Sequence, residues 1–202
     1  MVEWVCGIYT KETMINLINL ITPCSRPDNL EKISKSINIP RDKYRWLVCY
    51  DSKDYPDWKL LPFNCEFYCL KDERSISGNA QRNLCLDLSQ SLWEPIEESY
   101  IYFLDDDITV HPLLWENIKN LSNDFISFSQ ENKDGSLRLK GDKVMLNHID
   151  SHNFLFKGSL LGNSRWALDR RDADGLFAYE IYQKAKNPIF IDKVLSTYNS
   201  LR

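Results

Sequence analysis

Three consecutive carboxylates, Asp105, Asp106 and Asp107, directly follow the apolar run YIYFL at 100–104. In extended chain alternate side chains point the same way, so Asp105 and Asp107 are expected to face one point while Asp106 faces away. Two such charges about 4 Å apart repel by roughly 1 kcal/mol in water and about 4 kcal/mol at an intermediate effective dielectric. A cation relieves that repulsion. Oxygen-only ligands suit Mg2+ or Mn2+, which keep coordination positions free for water and for a substrate's phosphates. The other reading of the triplet is a solvated acidic turn at a strand end. A second acidic stretch, RRDADG at 170–175, places Asp172 and Asp174 before the apolar-faced segment LFAYEIYQK, where either can cap a helix. The only histidines are His111, His148 and His152.

The elements that must position these groups alternate strand and helix. Residues 16–22 (NLINLIT) form a mostly apolar run closed by Pro23, as expected of a strand buried on both faces. In the following CSRPDNLEKISKSI, Ser25 can cap, Pro27 fits a first helical turn, and Leu30, Ile33 and Ile37 make one stripe. Strands are expected at 44–50 (YRWLVCY), 66–70 (EFYCL) and 100–104, with a helix over 79–89 that puts Ala80, Leu84 and Leu88 on one face. Beyond Asp107 the pattern predicts a helix over 112–121, a strand over 124–129, a polar mobile loop over 131–143, and a strand near 144–146. A helix near 175–185 and a short strand at 189–191 complete it. This alternation implies an α/β fold with a mostly parallel sheet covered by helices on both faces, binding ligands at the carboxyl ends of its strands.

Composition narrows the classes further. The 202 residues hold 25 Lys and Arg against 29 Asp and Glu, a net charge of -4, and 43% are hydrophobic. A full core is expected without staples, which excludes a disordered, collagen-like or coiled-coil chain. No cluster of basic residues suggests nucleic acid or an anionic membrane as partner. No apolar run reaches 18 residues and no signal-peptide pattern opens the chain, so a soluble, cytoplasmic protein without a transmembrane segment is expected. The six cysteines (Cys6, Cys24, Cys49, Cys65, Cys69, Cys85) read as reduced, mostly buried thiols, with no CxxC spacing for zinc.

Taken in order, ITPCSRPDNLEKI, SGNAQRNLCLDL, YIYFLDDDI and RRDADGLFAYEIYQK resemble the GT-A (Rossmann-like) glycosyltransferases, particularly family-2-like enzymes that use nucleotide-sugars. They look like that family's first nucleotide-binding loop, its small-residue and ArN helix, its DxD strand and its acceptor-side acidic segment. The resemblance covers about residues 16–199. It implies one domain over 1–202, with an extension at 1–15, a nucleotide-sugar-binding half at 16–107 and an acceptor-side half at 108–202. It further implies that Thr22, Pro23 and Arg26 line the nucleotide pocket, that Asp51 approaches the base or ribose, and that Arg82 and Asn83 meet the nucleotide or support the DxD loop. Asp105 and Asp106 belong to the donor site by the same resemblance; Asp105 and Asp107 hold Mn2+ or Mg2+, and His152 joins them. An inverting reaction needs a base for the acceptor hydroxyl: Asp174 first, Asp172 second, Asp150 third. Lys157 and Arg165 could contact phosphate, and Trp166 leads the aromatic rings as a sugar-stacking platform.

The implied reaction moves a sugar from a nucleotide-sugar, UDP-linked by preference, to a hydroxyl of a glycan, lipid-linked or protein acceptor. Three other readings compete. As DDDIT, residues Asp105, Asp107 and Thr109 fit the frame of a haloacid-dehalogenase-like phosphatase, with Asp105 as nucleophile, but Ile108 stands at the usual glycine position. A nucleotidyltransferase would carry a glycine-rich basic loop where TPCSRP stands. A non-catalytic sugar- or nucleotide-binding descendant would have no need of the acidic triplet.

Overall fold

The structure is a computed structural model that describes residues 14–51, 61–70, 75–92 and 96–202; the expected extension, up to residue 13, and Cys6 lie outside them. Eight strands form one sheet: β1 (Ile18–Cys24), β2 (Tyr44–Tyr50), β3 (Glu66–Cys69), β4 (Tyr100–Phe103), β5 (Phe125–Glu131), β6 (Leu137–Leu139), β7 (Phe154–Lys157) and β8 (Pro188–Thr197). Among the described residues four α-helices accompany them: α1 (Leu30–Ser36), α2 (Asn79–Leu92), α3 (Leu114–Ile118) and α4 (Ala173–Tyr182). The sheet order is β3-β2-β1-β4-β7-β5-β6, with β8 also on β5. Strands β3, β2, β1 and β4 are mutually parallel, as are β5 and β8, whereas β7 runs antiparallel to both β4 and β5, and β6 antiparallel to β5.

Both faces of the sheet are covered, and the alternation of side chains shows why. In β2, Trp46 and Val48 enter one hydrophobic cluster while Leu47 and Cys49 enter the other; in β4, Tyr100 and Tyr102 separate from Ile101 and Phe103 in the same way. Helices α1 and α3 bring Leu30, Ile33, Leu114 and Ile118 to the first cluster, and α2 and α4 bring Cys85, Leu86, Phe177 and Ile181 to the second. A strand buried on both faces reads as a near-continuous apolar run, as YIYF does and as YRWLVCY does apart from Arg45. The buried phenols keep partners: Tyr100 donates to Asn123 O at 2.8 Å and Tyr102 to His152 O at 3.0 Å. Cys24, Cys49, Cys65 and Cys85 are free thiols.

Three expectations need correction. Residues 144–146 form bends and turns, and the strand that enters the sheet there is β7, ten residues later. The polar stretch 131–143 is not a structureless loop: β6 pairs with β5 inside it, and a backbone bond from Gly135 N to Asn132 O closes the turn. The last strand extends from the expected 189–191 to Pro188–Thr197 along the length of β5. Among the described residues no helix is long and apolar enough to cross a membrane.

Candidate functional site

The chain leaves β1 for β2 on one side, and β4 lies on the other. The order reverses here, at the carboxyl ends of the parallel strands, which is where such sheets bind ligands. Here a cleft of about 520 Å3 opens, lined by Pro23, Cys24 and Arg26 after β1, Asp51 after β2, and the three aspartates after β4. The loop before α2 closes in tightly: Gly78 has φ +77°, and a Cβ there would meet Pro23 Cβ at 2.7 Å.

The aspartates are not in extended chain. Ile108 N donates to Asp105 O at 3.1 Å, so the segment turns, and the neighbours that share a cation are Asp106 and Asp107. Arg26 Nη1 lies 2.5 Å from Asp106 Oδ1 and 3.2 Å from Asp107 Oδ2. Asp106 also accepts from Ser25 N at 2.6 Å, Ser25 Oγ at 3.0 Å and Arg26 N at 2.7 Å, so it fixes the loop after β1. Arg202 Nε approaches Asp107 Oδ2 at 2.6 Å. Burial and the neighbouring Asp105 nonetheless raise the Asp107 carboxyl above its ordinary value.

Asp105 turns the other way, into a buried chain of alternating charge. Arg82 Nη2 bonds its two oxygens at 2.6 and 2.8 Å, and His152 Nε2 lies 2.9 Å from Oδ2. His152 Nδ1 stands 3.0 Å from Asp150 Oδ1, outside good hydrogen-bond alignment, and Arg138 Nη1 donates to Asp150 Oδ2 at 2.5 Å. Burial works against the charge on Asp105, Asp150 and His152, but their partners outweigh it. Arg82 and His152 hold Asp105 down at about 2, His152 and Arg138 hold Asp150 well below the carboxylate range, and Asp105 and Asp150 lift His152 to about 10.

Across the cleft, α4 contributes Asp174 from its first turn. Burial first, then the charge of Asp150, pushes its carboxyl up to about 6. Trp166 lines the same space, held by Asn83, whose side chain accepts from Trp166 N at 2.8 Å and donates to Trp166 O at 2.9 Å. Its ring stacks on Phe177 at 4.7 Å and carries the Arg82 guanidinium at 4.6 Å.

No family model matches the chain, and no curated protein matches it. Among solved structures, residues 1–349 of S. aureus TarS align at a TM-score of 0.69 over 90% of this chain and 60% of that one, with 14% identity. The fold is that of the GT-A glycosyltransferases. TarS has also been solved with UDP and with UDP-GlcNAc. The mannosyltransferase PcManGT from Pyrobaculum calidifontis, in complex with GDP-Man and Mn2+, aligns at a TM-score of 0.65, with 14% identity over 93% of this chain and 58% of that one. A 4-diphosphocytidyl-2C-methyl-D-erythritol synthase shares the architecture at 0.57, with 12% identity over 93% and 92% of the two chains. This chain spans about 60% of the length of the TarS 1–349 chain.

Within this GT-A fold, Pro23, Arg26, Asp51, Arg82, Asp105, Asp106, Asp107, His152 and Asp174 meet at one cleft. Thr22 does not line it: fully buried, it donates to Leu104 O at 2.6 Å and accepts from Trp46 Nε1 at 2.8 Å, joining β1 to its neighbours. Asn83 clamps Trp166 from behind the cleft, and Asp172 forms an ion pair with Arg170 at 2.6 Å away from it. Asp150, committed to Arg138 and His152, is poorly suited as a base. Arg165 pairs with Asp87 at 2.7 Å, and Lys157 sits over the Tyr100 ring. The stacked indole of Trp166 offers the cleft its edge and not an open face. Sequence reasoning missed Arg138, Arg171, Tyr198 and Arg202, all of which line the cleft.

The donor set can be tested against a divalent ion. Among the described residues no three His, Cys, Asp or Glu side chains converge as a ready metal cage. Mg2+-like ions do not need one, since one or two carboxylates, waters and substrate phosphates complete their shell. Asp107 fits that role by geometry: Arg26 and Arg202 both reach it through Oδ2, and among the described residues no bond is made to Oδ1. Asp105 and His152 are engaged with each other and with Arg82 and Asp150, so in this geometry they support the turn instead of facing an ion.

Proposed function

We propose that the chain is a metal-dependent glycosyltransferase that moves a sugar from a nucleoside-diphosphate donor, UDP- or GDP-linked, to an acceptor hydroxyl. The observation that carries this reading is one cleft at the strand ends that combines the buried Asp107, with two guanidiniums on one oxygen, and Asp174, a carboxyl held at about 6 and free of an ion-pair partner among the described residues. Mn2+ or Mg2+ bound at Asp107 would supply the positive charge that a departing diphosphate requires. Arg26 and Arg202 add guanidinium donors at the same carboxylate, suited to phosphate oxygens by their planar geometry. Asp105 and Asp106 keep the turn in shape, one through Arg82 and His152, the other through the loop after β1. Asp174, ionised at neutral pH and poised near it, takes the proton of the attacking hydroxyl in an inverting displacement. Asp51 stands at the end suited to the base or ribose. The nucleotide-sugars bound by TarS and PcManGT support the donor class.

Two rival chemistries differ from this one in the product they release. A phosphatase would use Asp105 as nucleophile, which its bonds to Arg82 and His152 oppose. Nucleotidyl transfer, as in the synthase of the same fold, would release pyrophosphate from a nucleoside triphosphate. The test is release of nucleoside diphosphate from UDP- and GDP-sugars with Mn2+. Steady release that stops in EDTA supports the proposal, and release of pyrophosphate from triphosphates alone refutes it.

A further inference from the structure

The segment after β8 crosses the end of β4 and brings a guanidinium to the aspartates. Its backbone is pinned there: Leu201 N donates to Asp107 O at 2.9 Å, Ser200 Oγ accepts from Thr109 N at 2.9 Å, and Lys133 Nζ donates to Arg202 O. The Arg202 side chain is held more lightly. It is 54% exposed, and among the described residues its guanidinium has one charged partner, Asp107 Oδ2 at 2.6 Å. The other cleft arginines that meet a carboxylate are more firmly engaged. Arg26 lies on Asp106 as well as Asp107, and its backbone N also bonds Asp106. Arg82 takes both oxygens of Asp105, and Arg138 reaches Asp150, Gln130 and the Tyr198 ring.

We propose that Arg202 is an exchangeable counter-ion, which neutralises Asp107 until a divalent metal takes that carboxylate and then moves to the donor's diphosphate. This rests on the metal-dependent nucleotide-sugar reading and adds the residue that couples the two binding steps. A divalent ion on Asp107 would stand close to both guanidiniums, and like charges that close repel strongly beside a buried carboxylate. The cation with the looser hold gives way. An ion pair with one partner half exposed contributes little, so this exchange is undemanding. Because the Arg202 backbone is pinned, the released side chain stays at the cleft it lines, where its planar fork matches phosphate oxygens. Arg202 thus opposes the metal alone and favours the nucleotide once the metal is bound. Removing it has effects of opposite sign, which damage to the fold would not give.

The test compares the wild-type chain with Arg202→Gln, which loses the charge, and with Arg202→Lys, which keeps the charge and loses the fork. Mn2+ binding without nucleotide is followed by paramagnetic resonance of the free ion, and binding of UDP and GDP at saturating Mn2+ by calorimetry. Arg202→Gln should bind Mn2+ about tenfold more tightly, as expected if Arg202 covers Asp107 about nine-tenths of the time. The same variant should bind the preferred nucleotide about 10- to 100-fold more weakly, at an unchanged urea midpoint. Arg202→Lys should stay within about threefold of wild type for Mn2+ and recover part of the nucleotide affinity. Mn2+ affinity that is unchanged or lower in Arg202→Gln overturns the assignment, as does nucleotide affinity that is unchanged or higher. If neither nucleotide binds the wild type at any Mn2+ concentration, the nucleotide-sugar reading itself falls, and the Mn2+ result alone then decides the exchange at Asp107.

Discussion

His152 provides a quantitative handle on the buried charge chain. The proton shared among Asp105, His152 and Asp150 is held to about pH 10 in the fold, against 6.5 for an ordinary imidazole. Below pH 6.5 folded and unfolded chains both carry it, and the stabilisation is fully present. Above 6.5 the unfolded chain releases it while the folded chain does not, so unfolding stability falls by about 1.4 kcal/mol per pH unit until the folded group titrates. Across that window the loss amounts to about 5 kcal/mol, a large part of a typical domain's stability. His152→Gln removes the titrating group but leaves two buried carboxylates with less positive charge, at a cost of about 3 to 5 kcal/mol at pH 6.5. Urea unfolding of both proteins in EDTA, at pH values from 6.5 to 9.5, isolates the effect as their difference. That difference should shrink steadily as pH rises. A gap that stays constant between pH 6.5 and 9 would refute a protonated His152.

Asp174→Asn should lower turnover by a factor on the order of 100 or more with nucleotide affinity nearly unchanged. The same variant should be more stable than wild type by about 1 to 2 kcal/mol at pH 8, because ionising the buried carboxyl is costly, with the advantage fading as pH falls through about 6; urea melts at pH 5 and 8 check the sign. Asp106→Ala removes the acceptor for Ser25 N, Ser25 Oγ, Arg26 N and Arg26 Nη1, and should cost about 3 kcal/mol in a urea melt. Gly158→Ala would bring a Cβ within 2.0 Å of Ile96 O, so a fall in thermal midpoint of at least several degrees is expected by scanning calorimetry.

Where hydrophobic periodicity is strong, sequence and structure agree closely. The run YRWLVCY is β2 residue for residue, and YIYFL falls one residue beyond β4, because strands buried on both faces write their burial into every position. The polar strand β6 escaped notice. Its LRL core is three residues long, and Arg138 there looks solvated until Asp150, Gln130 and the Tyr198 ring collect around it. Alternation of Leu137 and Leu139 was the available signal. The alternation rule also misassigned the aspartates, since it presumes extended chain and β4 ends before them. That the cleft gathers Asp51 and the triplet follows from strand ends and was legible; Asp174, in the first turn of α4, was expected there only through the family resemblance. That Asp105 binds Arg82 and His152 depends on contacts between residues 23 and 47 positions apart, which no local pattern encodes.

The measurement that bears most directly on the proposed activity is calorimetric binding of UDP and GDP to wild type and Asp107→Ala, each with Mn2+ and with EDTA. The account predicts tight binding of at least one nucleotide by the wild type with Mn2+, lost in EDTA and lost equally in Asp107→Ala. Binding that is the same with and without metal, or that survives in Asp107→Ala, would contradict it.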